Sequence, residues 1–255
     1  MTDKKRALTL MAHPDDAEFL CCGTLALLQQ RGWEVHLATM TPGDCGSDQM
    51  GPEEISAVRR VEAAAAAAVL GGAFHCLEGR DGRIAYDHET LIKAVGLIRQ
   101  VRPAVVFAMA PSDYLIDHEV SSAIVRSATF FAGVPNYKTG DSQPFRPVPH
   151  VYYADPIEGK DLFGRPVEPA ILVDISSVVD TKSAMLRCHA SQREWLLKQH
   201  GMDEYIGAML AMGAERGKAI GVQYAEGFRQ HLGHGYPQDN LLAGELGSLV
   251  RAVRT

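Results

Sequence analysis

Near the start of the chain stands His13-Pro14-Asp15-Asp16, an imidazole and two carboxylates within four positions. It follows residues 7–12 (ALTLMA), which have the pattern of a buried strand. Charge without a partner is costly to bury, so such a cluster at a strand end belongs at a crevice or around a metal. A second polar group, Asp117-His118, closes the stretch 110–118 (APSDYLIDH), which follows another apolar run at 104–109. Two histidines and a carboxylate make a three-ligand site with an open position for water. HPDD then offers one aspartate as ligand and the other as a base for the proton of that water. Asp117, beside His118, is placed to orient an imidazole.

These groups need elements to position them. Strand patterns fall at residues 7–12, 34–40, 73–77, 104–109, 150–154 and 170–174. Helical patterns fall at 17–31, 53–70 and 88–101, from Glu119 onward, and at about 176–200 and 203–220. Strands alternating with helices predict an α/β fold on a parallel sheet. In such sheets ligands bind beyond the carboxyl ends of the strands. That edge gathers HPDD with the loops 41–51, 78–87 and 110–118. Residues 134–169 hold seven prolines and little periodicity, so they predict an irregular excursion around one strand. With no internal repeat or low-complexity linker, the expectation is a single domain over 1–255.

The composition narrows the function. The formal net charge of −6 lacks the basic excess of a nucleic-acid binder. No apolar run reaches the length of a membrane span. Lys4, Lys5 and Arg6 imitate the start of a signal peptide, but the apolar run behind them stops at His13, so a cytoplasmic protein is expected. The five cysteines include no CxxC pair, and they read as buried thiols.

Several blocks, in order, resemble the PIG-L/LmbE-like zinc deacetylases. AHPDDAEFLCCGTLALL resembles the family's opening AHPDD…E…GGTLA signature. TPGDCGS at 41–47 is similar to its TxGExG loop. ISAVRRVEAAAAAAVLG at 55–71 is similar to its RxxE…AAxxLG helix. LEGRDGRI at 77–84, DYLIDHEV at 113–120, KSAMLRCHASQ at 182–192 and YAEGF at 224–228 are similar to later blocks. The resemblance implies a Rossmann-like three-layer sandwich with a mostly parallel sheet and the active site at the carboxyl ends of its strands. It implies hydrolysis of the N-acetyl group of an N-acetylglucosamine-type sugar or glycoconjugate, a small-molecule substrate. By position, His13, Asp16 and His118 would bind Zn2+, and the same donors accept other divalent ions such as Fe2+. Asp15 would be the general base; Asp44, Arg59 and Asp81 fall where the family shapes the sugar pocket. Family members often assemble, which leaves room for a homo-oligomer.

Two departures matter. The family's histidine three residues before the last ligand is Leu115 here, which can neither donate a hydrogen bond nor carry charge. The TxGExG glutamate is Asp44, with a shorter reach. Leu115 supports an alternative: a zinc-binding relative with altered substrate or lost catalysis, acting as a binding module. A nucleotide-binding Rossmann protein would want G-x-G-x-x-G after the first strand, where HPDDAE would repel a pyrophosphate. His189 is left between a pocket role and a helix-stabilising one. For His231 and His234, no acidic residue has ligand spacing.

Overall fold

The computed structural model describes residues 4–140, 142–192 and 205–253. Its centre is an eight-stranded sheet of order β3-β2-β1-β4-β5-β7-β6-β8. The strands are β1 (Arg6–Met11), β2 (Glu34–Thr39), β3 (Ala73–Cys76), β4 (Val105–Ala108), β5 (His150–Ala154), β6 (Ile171–Asp174), β7 (Ala225–Gln230) and β8 (Val250–Ala252). The first five pair in parallel, and β7, β6 and β8 complete the sheet antiparallel. The expected α/β architecture with a mostly parallel sheet is what the chain forms.

β1 shows why both faces are covered. Ala7 and Met11 enter one apolar core, with helix α2 (Cys22–Gln30); Leu8 and Leu10 enter the other, with α4 (His88–Val101) and α5 (Ile116–Phe131). A strand buried on both faces reads as a continuous apolar run, as ALTLM does. The alanine run lies in α3 (Pro52–Val69). Ala63, Ala66 and Ala67 are buried, and the alanines between them face out, so small side chains let one face pack closely. α4 starts where Asp87 accepts from Thr90 N at 2.8 Å, an ordinary N-cap.

The structure departs from the sequence reading at one instructive place. The helix expected over 17–31 is two: α1 (Asp16–Leu20) and α2, broken at Cys21 (φ −145°). The break turns the first N–H groups of α2 onto the Glu226 carboxylate of β7, at 2.8 Å from Gly23 N and 2.7 Å from Thr24 N. A carboxylate at a helix N-terminus satisfies donors that have no partner within the helix. Lys182, on α6 (Val179–Arg187), reaches the same carboxylate at 2.5 Å. The helix expected over 176–200 begins as a short 3-10 turn and α6; its part from 193 onward lies outside the described residues, and the helix expected over 203–220 is described over Tyr205–Lys218. No helix among the described residues is long and apolar enough to cross a membrane.

Candidate metal centre

Strand pairing continues past β1, with Thr41 N bonded to Ala12 O, so the next residue, His13, emerges at the carboxyl edge of the sheet. Asp15 sits at φ 97°, a left-handed conformation unusual for a non-glycine residue, and Asp16 opens α1. His13 N donates to Asp16 Oδ2 at 2.8 Å and fixes that carboxylate. His118 enters from the first turn of α5 and is almost fully buried.

Three ligand atoms meet here. His13, Asp16 and His118 each offer one within 4.8 Å of the others. His13 Nδ1 lies 3.6 Å from Asp16 Oδ2, and His118 Nε2 lies 3.6 Å from Asp16 Oδ1. Those separations are too long for hydrogen bonds. The opposite ring nitrogens are taken: His13 Nε2 stands 3.2 Å from Asp117 Oδ2, and His118 Nδ1 stands 3.0 Å from Asp113 Oδ1. Each carboxylate favours the tautomer that donates to it and turns a lone pair inward. The donor set therefore fits a divalent cation bound by two nitrogens and a carboxylate oxygen.

The electrostatics show a pull toward positive charge, met by protons on the imidazoles or by a cation. Burial by itself would lower the His13 pKa, but its hydrogen bond to Asp117 and the nearby charge of Asp16 push it up to about 10. Burial would raise Asp16, but His118 and His13 hold it down at about 2. His118 is also raised, because Asp16 and Asp113 outweigh its burial. Carboxylates outnumber the cations they could pair with, so the crevice favours positive charge.

Asp15 points elsewhere. Its Oδ2 is 3.3 Å from an Arg59 nitrogen that also donates to Pro14 O at 2.5 Å. Arg59 needs the bare backbone of Gly43, where a Cβ would come within 2.1 Å of the guanidinium. The buried Tyr205 faces Asp15 and, with Arg59, pulls its carboxyl down. Burial raises the Asp15 carboxyl above the usual range, against the pull of Arg59. Behind it, His189 Nε2 lies 3.2 Å from Glu18 Oε1, both buried, so His189 stands beneath the crevice floor.

Asp81 accepts from Thr41 Oγ1 at 2.5 Å and Cys45 N at 2.9 Å, and its Oδ1 is 3.8 Å from His13 Nε2. Asp44 accepts from Asp81 N at 2.8 Å and Arg80 at 3.3 Å. These two stitch the second and third loops together at the rim. Asp117 accepts from Gly82 N at 2.7 Å as well as facing His13, so the imidazole beside it in space is the distant His13, not its neighbour His118. Leu115 precedes α5 as its N-cap, and the Tyr114 ring stands 5.5 Å from the His118 ring at 85°.

Sequence reasoning missed Asp113 and Tyr205. Asp113 had a signal, an acid five residues before His118 in the same loop; Tyr205 had none. His231 Nδ1 instead meets the Tyr153 hydroxyl at 3.1 Å. Among the described residues, the other group with ligand spacing is Asp44, Cys45 and Asp81, whose carboxylates already hold the loops.

Residues 8–129, which carry His13, Asp16 and His118, match a family model described as GlcNAc-PI de-N-acetylase, PIG-L. The chain belongs to the PIG-L family. It is 30% identical to a conserved protein of Thermus thermophilus of known structure, covering 90% of this chain and 95% of that one with a TM-score of 0.74. It is 28% identical to the diacetylchitobiose deacetylase of Thermococcus kodakarensis, over 89% of this chain and 83% of that protein. It is 27% identical to the 4-oxalmesaconate hydratase of Pseudomonas putida, over 89% of this chain and 90% of that protein. Its relatives thus include enzymes of two reaction types.

Proposed function

We propose that this chain is a metal-dependent amide hydrolase that removes the acetyl group from an N-acetylglucosamine-type sugar. The observation that carries the reading is the meeting of His13, Asp16 and His118 around a gap too wide for hydrogen bonds. These three residues would hold the cation, zinc foremost, with iron(II) compatible with the same donors. A divalent ion there supplies Lewis acidity, which lowers the pKa of water and polarises a carbonyl. Asp15 takes the proton of the attacking water and returns it to the leaving amine. A carboxyl raised by burial is suited to both transfers. Arg59 and Tyr205 hold Asp15 in place. Asp117 and Asp113 fix the two imidazoles, and Asp44, Arg59 and Asp81 shape the loops around the sugar.

Leu115 favours a second reading. Losing one oxyanion donor typically costs about two to three powers of ten in rate. A hydratase stands among the relatives, and addition of water to a double bond would call on the same base, Asp15. Acetate release from a panel of N-acetylglucosamine derivatives tests the first reading. We expect release that needs the metal and falls in Asp15→Ala. Stoichiometric metal with no acetate from any member would contradict it.

A further inference from the structure

A cavity of about 490 Å³ opens at the amino-terminal edge of the sheet, among the starts of β1, β4 and β5. That volume is in the range of small-molecule sites. The cavity stands apart from the crevice: Arg6 lines it at one end of β1, and His13 emerges beyond the other. Its lining is uneven in charge. Lys4, Lys5 and Arg6 enter from the start of β1, and Arg102 from the turn between α4 and β4. Lys5 is matched by Glu245 at 2.5 Å and Arg6 by Glu34 at 3.2 Å. Asp239, also in the lining, faces His150 Nε2 at 2.9 Å. Among the described residues, no carboxylate pairs with Lys4 or Arg102.

Arg102 is held at some cost. It closes α4 in the left-handed region (φ 55°, ψ 53°), with its N–H bonded to Ile98 O at 2.8 Å. Glycine is the usual residue there, and a side chain costs about 1–2 kcal/mol. The Arg102 guanidinium lies 5.1 Å from the Phe145 ring, a contact that directs the cation without neutralising it. A strained residue whose charge is unspent points to a use for that charge. The rest of the lining is largely apolar, with Pro103, Pro147 and Pro149 beside the buried Phe145. Proline rings are rigid and their nitrogens carry no proton, so this wall is preformed and offers no donor of its own.

We infer that this cavity binds a small organic anion, a carboxylate or phosphate group carried on a flat apolar body. Lys4 and Arg102 take the acidic group, the planar guanidinium by two parallel hydrogen bonds. The prolines and Phe145 take the apolar body. The site stands independently of the reaction in the crevice.

The test is calorimetric binding of 2-naphthoate and of 2-naphthyl phosphate to the full chain, with and without zinc, beside acetate and inorganic phosphate. The same titrations are run on Arg102→Gly and Lys4→Ala. Glycine suits the left-handed backbone and Lys4 is exposed, so both variants should fold. We expect one naphthyl ligand per chain whether or not zinc is present, bound at least about tenfold more tightly than its bare acid. The tighter of the two naphthyl compounds identifies the acidic group. Each variant should lose about tenfold in that affinity. Binding that disappears with the zinc would belong to the crevice and overturn the proposal. Acetate or phosphate binding as tightly as its naphthyl counterpart would reduce the cavity to a patch of charge, and overturn it too. So would naphthyl binding unchanged in both variants, or no naphthyl binding at all.

Discussion

Two buried charge clusters flank the short helix α1, and they differ in one respect. Behind it, Glu226 and Lys182 meet at 2.5 Å, and Glu226 also accepts from Gly23 N, Thr24 N and Thr24 Oγ1 at 2.6 to 2.8 Å. One cation faces one anion, and both carboxylate oxygens are satisfied. In front, Asp16 stands 3.6 Å from each of His13 and His118, with Asp81, Asp113 and Asp117 around them. Buried polar groups that are fully paired hold a fold together. An arrangement with carboxylates in excess and facing lone pairs is built for something it must receive. The balanced cluster positions α2, and α1 then joins it to the unbalanced one.

The contrast can be broken from either side. The largest expected effect is on chemistry: Asp15→Ala should lower turnover by about two to four powers of ten while keeping its metal. Steady-state rates paired with metal content check this, and an unchanged rate would remove Asp15 as the base. In the balanced cluster, Lys182→Met leaves Glu226 buried without its cation and should lower the unfolding free energy by about 3–5 kcal/mol, read by urea titration. The unbalanced cluster should respond the other way, gaining stability from a cation. Metal-free protein given zinc at a hundred times its Kd should gain about 2.7 kcal/mol in the same titration. A smaller effect falls on the carboxylate behind His118: Asp113→Asn should weaken metal affinity by about 10–100-fold, measured by competition with a chelator.

Much of this was legible in the sequence. β1 to β5 announce themselves as apolar runs, and HPDD and Asp117-His118 appear as polar groups at strand ends. Local order carries such signals, because each strand and its following loop are contiguous. What stayed hidden depends on distance. β7 and β8 pair antiparallel with strands far along the chain, so YAEGF signalled a family block but not a strand. The break at Cys21 exists because of Glu226, some two hundred positions away. Asp117 faces His13 rather than its neighbour, a pairing set by how two loops meet on one sheet edge. Tyr205 reaches Asp15 from a helix with no motif to flag it.

Everything proposed for the crevice requires it to be a cation site, and metal analysis of purified wild type and His118→Ala asks this directly. One divalent ion per wild-type chain, absent from a folded His118→Ala, is the result predicted. A wild type that binds none when zinc is supplied, or a His118→Ala variant that keeps its full complement, would contradict it.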